Sequence, residues 1–365
     1  MNRTTEDLIR SHKFWVLVPS LETSDPNLQY YYDFSQSLEE YTKVFDGMQA
    51  VWQWQPVTIQ NKKEIIASIK AQSNGRLPIV FNLCDGDEVN GTPGISVIHE
   101  LEKRNLPYTG SDAHFYRITT SKISMKEAFD QAGVSTPHWS IIDGSPLSVY
   151  ELFEKLGTPL LIKPAVSGGS MGLTIKNVVD TKEALQARVA ELKEGYRGWD
   201  LAEGGILVER FITGPEYTSL IIGSSDKPEE CIIYEPVERV FHASLPEREK
   251  FLSFDRLWEI YENESPMSDN ENFYTYHPVN PTLSHALKKL TLEAYCAVGG
   301  QGYGRLDIRG DSKSGALFVL EVNAQCGLSE DEDYTSIGAI LRITGKSFSE
   351  MVMEIIKEAL HKRKL

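Results

Sequence analysis

Two apolar strand patterns near the C-terminus each carry a pair of polar side chains. Arg305 and Asp307 form one pair, Glu321 and Asn323 form the other, and one apolar residue separates the members of each pair. Because side chains alternate between the two faces of a strand, each pair shares one face. If the strands are neighbours joined by a turn, two carboxylates and an amide oxygen converge beside Arg305, which suits Mg²⁺ bound through few protein oxygens plus phosphates. A solvent-facing polar stripe is the alternative, but the apolar run directly before Glu321 disfavours it.

A glycine-rich turn follows another apolar strand. The strand delivers Lys163, and Gly168, Gly169 and Ser170 follow it. Glycines let successive backbone N–H groups approach an anion closely, and the lysine ammonium supplies a point charge for phosphate oxygens. The spacing is neither GxxxxGK nor GxGxxG, so an ordinary hairpin turn stays open as the alternative.

A third segment, residues 206–216, reads as a strand that ends in a Gly–Pro turn and Glu216. Backbone groups of such a segment could pair with the edge of a purine, and Glu216 could accept hydrogen bonds from ribose hydroxyls. By composition alone, the segment is only a strand and a turn.

The bulk composition excludes some classes of protein. The 365 residues include 52 Asp and Glu against 37 Lys and Arg, and the net charge of -15 disfavours nucleic acid and anionic membranes over most of the surface. Apolar runs are far shorter than the roughly 20 residues that span a bilayer, and the N-terminus lacks the pattern of a secretory signal. We therefore expect a cytoplasmic protein of two or three domains.

The order of strand and helix patterns predicts an α/β chain. Strand patterns lie at residues 14–19, 78–83, 159–164, 173–176, 205–212, 217–222 and 231–237. Helical patterns lie at 62–70, at 95–104, from a Thr120 or Ser121 cap to about 132, and at 181–192. An irregular stretch at about 246–281 has the length of an active-site lid, with an inconsequential surface excursion as the alternative. The chain closes with helix, strand, strand and helix.

Taken together, these segments resemble the D-alanine–D-alanine ligases of the ATP-grasp superfamily. The likeness runs from about residue 81 to the C-terminus, whereas the first 80 residues match only in general pattern. It rests on residues 106–111, 120–126, 163–164, 209–216, 304–307 and 321–323. The resemblance implies an ATP-grasp fold of the α/β class, with α+β character in the nucleotide-binding half. It implies an N-terminal parallel-sheet (pre-ATP-grasp) domain at 1–120, a central small subdomain at 121–216, and a metal-binding domain at 217–365 that carries the lid.

The resemblance also implies a reaction and a set of roles. A carboxylate takes the γ-phosphoryl group of ATP with Mg²⁺, or Mn²⁺ in its place, and an amine attacks the acyl phosphate. Both substrates would be small molecules, and the protein a homodimer. The implied ligands are Lys122, Lys163 and the glycine-rich turn for phosphates, Glu209, Arg210 and Ile212 for adenine, Glu216 for ribose, Asp307, Glu321 and Asn323 for the metal, Arg305 for the oxyanion, and Lys250 for the γ-phosphate.

Several departures from the family pattern bear on the substrates. Gly169 and Phe251 stand where the family usually has a serine and a tyrosine, and Asp85 stands where it usually has histidine. A loop with Gly327 and Leu328 leads to the acidic run 330–333, in which Glu332 or a neighbour replaces a serine that binds the second amino acid's carboxylate. Acidic side chains would repel a carboxylate and favour a cationic or neutral amine, unless the run is simply a solvated loop.

We therefore expect amino-acid substrates other than a pair of D-alanines. A true D-alanine–D-alanine ligase is one alternative. A nucleotide-binding protein that has lost ligation is another, and the intact Arg305, Asp307, Glu321 and Asn323 argue against it. An ATP-grasp carboxylase or phosphotransferase is a third.

Overall fold

The computed structural model describes residues 3–142, 149–268, 271–333 and 335–361. Residues 269–270 of the expected lid and Tyr334 of the loop after the acidic run lie outside these ranges. Within them, three sheets are formed by successive stretches of the chain. None of the described helices is long and apolar enough to cross a membrane.

The first stretch builds a parallel three-stranded sheet in the order β2-β1-β3, flanked by helices. The elements are α1 (Arg3–Ser11), β1 (His12–Pro19), α2 (Pro26–Tyr31), α3 (Ser35–Gly47), β2 (Val51–Val57), α4 (Lys62–Gln72), β3 (Leu77–Asn82), α5 (Ile95–Lys103) and α6 (Ala113–Thr120). β1 is central and is buried from Lys13 to Pro19, as expected for a parallel strand covered on both sides. The sequence patterns missed β2, because an edge strand with glutamines and Pro56 lacks the apolar alternation of a core strand.

The second stretch builds an antiparallel sheet in the order β4-β7-β5-β6. Its elements are α7 (Lys122–Ala132), β4 (Trp139–Ile142), α8 (Val149–Leu156), β5 (Leu160–Pro164), β6 (Val178–Val179), α9 (Lys182–Glu194) and β7 (Ile206–Arg210). Ser121 caps α7, as one of the two predicted caps, and accepts from Ser124 N. The predicted strand at 173–176 is wrong, because Thr174 and Asn177 bond to each other's backbone and form a 3₁₀ turn instead.

The third stretch builds a large antiparallel sheet in the order β11-β10-β8-β12-β13, with β9 beside β8. Its elements are β8 (Glu216–Ser224), β9 (Ile232–Ile233), β10 (Val237–Phe241), α10 (Phe254–Trp258), β11 (Tyr274–Pro278), α11 (Pro281–Ala297), β12 (Gln301–Gly310), β13 (Leu317–Ala324), α12 (Ser336–Thr344) and α13 (Phe348–His361). The predicted strand at 231–237 is broken at Pro236, which has no N–H to donate. The stretch at 246–281 is less irregular than predicted, since it contains α10 and β11.

The two faces of the large sheet have different roles. Leu306 and Ile308 of β12 pack against α11 in a fully buried apolar cluster. On the opposite face, α12 and α13 cover the part of β8 and β12 that contains Ile222 and Tyr303. Arg305 and Asp307 lie on that same face, further along β12 than Tyr303. The packing of Leu306 thus decides which way its charged neighbours point.

We expect Leu306→Ala to lower the free energy of unfolding by about 2–5 kcal/mol, because it deletes a fully buried side chain and leaves a cavity. The matched control is Leu38→Ala, which removes an exposed leucine and should change stability by less than about 0.5 kcal/mol. Urea unfolding of the two variants measures the difference. Equal stability of the two variants would contradict this account of the core.

Candidate functional site

The polar pairs of β12 and β13 lie together, as the sequence predicts. The strand register places Arg305 opposite Asn323 and Asp307 opposite Glu321. Arg305 Nη2 lies 3.0 Å from Asp307 Oδ2, and Asn323 Nδ2 donates to Asp307 Oδ2 at 3.1 Å and to Glu321 Oε1 at 3.3 Å. Thr218 of β8 donates to the other Asp307 oxygen at 3.1 Å. The four predicted residues therefore form one hydrogen-bonded cluster.

The two carboxylates of this cluster differ in their electrostatic surroundings. Burial raises the pKa of Asp307, and the nearby charge of Glu321 adds to the effect against the opposing charge of Arg305. Burial alone would also raise the pKa of Glu321, but the charges of Lys122, Lys163 and Arg305 outweigh it and lower that pKa. A cation held between the two carboxylates would stabilise the charged form of both.

These residues fit a magnesium ion of the kind that keeps phosphate and water ligands. The structure, over the ranges that it describes, shows no cluster of three or more His, Cys, Asp or Glu side chains that could hold a metal. The site instead offers two carboxylates and an amide, which suits Mg²⁺ but not a metal that needs a full protein cage. In the structure the amide nitrogen of Asn323 faces the carboxylates, and turning the amide over would present its oxygen.

Two lysines of the small subdomain, Lys122 and Lys163, act electrostatically on Glu321 of this cluster. Lys122 begins α7, and its Nζ donates to the carbonyl oxygen of Ser167 at 2.9 Å in the glycine-rich turn. Lys163 is the residue before the last of β5 and is buried. Both charges act on Glu321 of the large sheet. The two subdomains therefore present cations and carboxylates to each other.

Glu209 is placed differently from its predicted role in binding adenine. Its carboxylate is almost fully buried, and it forms ion pairs with Lys126 at 2.8 Å and with Lys163. Burial would raise its pKa, but the two lysines lower it to about 2. Its side chain is therefore committed to lysines, and an adenine contact would have to come from its backbone. Lys126 was missed as a functional residue, although it lies one helical turn after Lys122.

Glu216 lies between two buried arginines. Its oxygens accept hydrogen bonds from Arg239 and, at 2.6 Å, from Arg309 Nη2. Arg309 Nη1 also donates to the carbonyl oxygen of Ile212 at 3.3 Å. Neither arginine was singled out from the sequence, although strand alternation puts Arg309 on the same face as Arg305 and Asp307. The half-exposed Arg210 lies 3.6 Å from Asp311.

A narrow cleft joins the residues predicted to bind the base and the ribose. It is lined by Leu161, Glu209, Arg210, Phe211, Ile212, Glu216, Phe251, Arg309 and Leu320. Phe251 belongs to the lid, is buried, and packs edge-on against Phe211 with ring centroids 6.1 Å apart. The lid thus closes one side of the cleft.

The lid is bonded to the glycine-rich turn and to Arg309. Ser170 Oγ donates to the carbonyl oxygen of Leu252 at 3.0 Å, and Trp258 Nε1 donates to that of Gly169 at 2.8 Å. The carbonyl oxygen of Lys250 accepts from Arg309 at 2.6 Å, whereas its ammonium pairs with Glu247. Lys250 is therefore anchored beside the cleft through its backbone. Gly168 is exposed at the mouth of the turn.

The acidic loop after β3 contains the carboxylates of Asp85, Asp87 and Glu88, which differ in their hydrogen-bond partners. Glu88 accepts from the backbone of Gly94 and Ser96, and Asp87 accepts from Asn90, so both stabilise the loop itself. Asp85 makes no side-chain hydrogen bond or ion pair with another described residue and is exposed to solvent. The surrounding protein nevertheless desolvates it, and with the charge of Asp87 this raises the pKa of Asp85 to about 7.

Two of the four acids of the run at 330–333 pair with local cations, which weakens the expected repulsion of a substrate carboxylate. Glu332 pairs with Arg342 at 2.8 Å, and Glu330 lies 3.6 Å from Lys43. The side chain of Leu328 is buried in the core, while Gly327 is exposed. These placements speak against contacts to substrate from the side chains of Glu332 and Leu328. Two hydroxyl residues of this segment are Ser329, which donates to Glu40 Oε1 at 2.5 Å, and Thr335, which precedes α12.

Comparisons with known proteins agree with this arrangement. The protein-family model described as D-ala D-ala ligase C-terminus matches residues 129–357. A D-alanine–D-alanine ligase of Xanthomonas axonopodis pv. citri is 26% identical over 326 residues, which are 89% of this chain and 90% of that protein. One from Nitrosococcus oceani is 29% identical over 265 residues, 72% of each chain.

A crystal structure of D-alanine–D-alanine ligase from Bacillus anthracis complexed with ATP has a TM-score of 0.66 at 19% sequence identity. The match covers 97% of this chain and 98% of that one. A second structure from the same organism has a TM-score of 0.67. These likenesses confirm the predicted fold class, α/β of the ATP-grasp type.

Glu321→Gln should weaken Mg²⁺-dependent binding of ADP by about tenfold or more, because it removes one of two carboxylates that face a cation. Calorimetry with ADP at fixed Mg²⁺ measures the change. The control is Glu330→Gln, which neutralises an exposed acid of the loop after β13. Glu321 does not belong to the metal site if both variants bind ADP as the wild type does.

Proposed function

The chain belongs to the D-ala D-ala ligase C-terminus family, and we propose on this premise that it joins a carboxylate to an amine through an acyl phosphate formed with ATP and Mg²⁺. Membership makes the chain an ATP-dependent carbon–nitrogen ligase. The observation that carries the proposal is that the charges of Lys122 and Lys163 act on Glu321, which lies opposite Asp307 in the pair of strands β12 and β13. Cations next to a pair of carboxylates suit a nucleotide triphosphate bound with a divalent metal.

The first half of the reaction is phosphoryl transfer. A carboxylate is a poor electrophile, so its oxygen first takes the γ-phosphoryl group of ATP. Lys122 and Lys163 stabilise the charge on the phosphate oxygens, and Mg²⁺ bound by Asp307, Glu321 and Asn323 would neutralise the charge that develops there. Lys250 is held next to the cleft by the bond from Arg309 to its carbonyl oxygen, which leaves its ammonium free to exchange Glu247 for a phosphate.

The second half is attack of the amine on the acyl phosphate. Arg305 is held by Asp307, and its Nε–H has no acceptor among the residues that the structure describes. A buried donor of this kind is suited to the oxyanion that develops when the amine attacks. Closure of the lid keeps water from hydrolysing the acyl phosphate, and the bonds from the glycine-rich turn to Leu252 and Trp258 hold it closed.

We propose that the substrates differ from two D-alanines. Gly169 and Phe251 lack the hydroxyl groups usual at their positions in the family. Asp85 replaces histidine, and its carboxylate is open to solvent without a partner among the described residues. A free carboxylate favours a substrate that carries an ammonium group at that point.

A true D-alanine–D-alanine ligase is the second candidate. It is favoured by the names of the relatives and by the local pairing of Glu330 and Glu332, which reduces repulsion of a substrate carboxylate. Both candidates share the nucleotide site and differ in the substrates that are joined.

We also propose domain boundaries near residues 120 and 216, because each sheet is built from one continuous stretch of chain. A homodimer and the use of Mn²⁺ in place of Mg²⁺ are further proposals that rest on the family alone.

Incubation with Mg²⁺, ATP and D-alanine alone should give little ADP, whereas a pooled panel of amino acids and amines should give ADP and an amide. Mass spectrometry of the products identifies both substrates. Rapid formation of D-alanyl-D-alanine would contradict the proposal of altered substrates and establish that the protein is a D-alanine–D-alanine ligase. No ADP with any member of the panel, despite ATP binding, would instead contradict ligation.

Asp85→Asn should raise the KM for the cationic substrate by about tenfold at pH values well above 7, because it removes a charged hydrogen-bond partner. As pH rises through the pKa of about 7, Asp85 loses its proton, so substrate affinity should increase in the wild type but not in the variant. Below this pKa the two proteins should behave alike. Glu332→Gln is the control. Identical pH profiles for wild type and Asp85→Asn would exclude Asp85 from substrate binding.

A further inference from the structure

Lys126, Glu209 and Lys163 form a row of three buried charged side chains. Lys163 is the member of this row that we propose binds the nucleotide phosphates. Lys126 Nζ is 2.8 Å from Glu209 Oε2, and Lys163 Nζ contacts Glu209 Oε1. Each oxygen of the single carboxylate thus holds one ammonium. The side chains of Lys126 and Glu209 are each only 1% exposed, so solvent does not screen these interactions.

The position of Lys126 keeps it away from any phosphate. Its Nζ also donates to Thr136 Oγ1 at 2.5 Å, and Thr136 Oγ1 donates to the carbonyl oxygen of Val319 in β13. Lys122, one helical turn earlier, instead reaches the glycine-rich turn. Lys126 is therefore not placed to bind a ligand directly.

Charge balance explains why a second lysine is needed there. Two ammonium groups and one carboxylate leave the row with one positive charge. Without Lys126, Glu209 would pair with Lys163 alone, and the row would be neutral. In a buried site that loss acts on any phosphate next to Lys163 almost unscreened.

We propose that Lys126 is a positioning residue that neutralises Glu209, so that Glu209 can orient Lys163 without cancelling its charge towards the nucleotide phosphates. This inference rests on the proposed nucleotide site. It assigns to Glu209 the role of a holder of lysines, in place of a side-chain contact to adenine.

The test uses Lys126→Met and the double variant Lys126→Met/Glu209→Gln in the full-length chain. We expect Lys126→Met to weaken ADP binding by about 10–100-fold, because the charge facing the phosphates is cancelled. Adenosine has no phosphate, so its affinity should not depend on the charge at Lys163. We expect the variant to bind adenosine within about threefold of wild type, a change smaller than the loss of one hydrogen bond would cause. The double variant should recover most of the ADP affinity, because removing the carboxylate restores the charge of Lys163.

A merely structural role for Lys126 gives a different pattern. Loss of packing would weaken adenosine and ADP alike, and a second buried substitution would not restore ADP binding. Lys13→Met is the matched control, since Lys13 is a buried lysine of β1 that bonds Gln53 and the backbone of Gln72 away from the site. It should leave ADP affinity unchanged.

The outcomes separate this inference from the proposed function. If the wild type binds no ADP, both are overturned. If it binds ADP but the double variant stays as weak as Lys126→Met, only the role of Lys126 is overturned. Should Lys126→Met fail to fold, Lys126→Gln takes its place, because it removes the charge and keeps a polar side chain beside Thr136. A loss of ADP affinity of about tenfold with adenosine binding unchanged supports the inference, and wild-type ADP affinity overturns it.

Discussion

The antiparallel pairing of β12 with β13 places Asp307 directly opposite Glu321, and the rest of the site depends on that register. A slip of β12 by one residue would turn Asp307 away from Glu321 into the apolar layer under α11 and bring Leu306 to the polar face. Contacts on both faces of the sheet fix this register. Leu306 and Ile308 are buried on one face, and Thr218 and Asn323 donate hydrogen bonds to Asp307 on the other.

The site is built from charges that compensate one another inside a chain of strongly negative net charge. Lys126, Glu209 and Lys163 form a buried row, and Arg239, Glu216 and Arg309 form another. Desolvation makes an isolated buried charge unfavourable, so each is tolerated only because its neighbour has the opposite sign. Both rows carry one more cation than anion. They concentrate positive charge where a nucleotide would bind.

The lid is part of this arrangement and not an independent flap. Arg309 connects the backbone of Ile212, the carboxylate of Glu216 and the backbone of Lys250. Ser170 and Gly169 connect the glycine-rich turn to Leu252 and Trp258 of the lid. A motion that opens the cleft must therefore break bonds to both subdomains, which links nucleotide entry to substrate enclosure.

The sequence by itself determined the polar face of β12 and β13, the apolar strand that carries Lys163, the cap of α7 at Ser121, and the α/β class. These follow from strand alternation, helix capping and motif spacing, all of which are local. Tertiary structure alone decided that Glu209 turns to Lys126, that Arg239 and Arg309 enclose Glu216, and that Glu332 pairs with Arg342 outside the cleft. Each of these pairs joins side chains from different strands, helices or loops. The partner of a charged side chain is set by packing between elements, and the spacing of residues along one chain does not encode it.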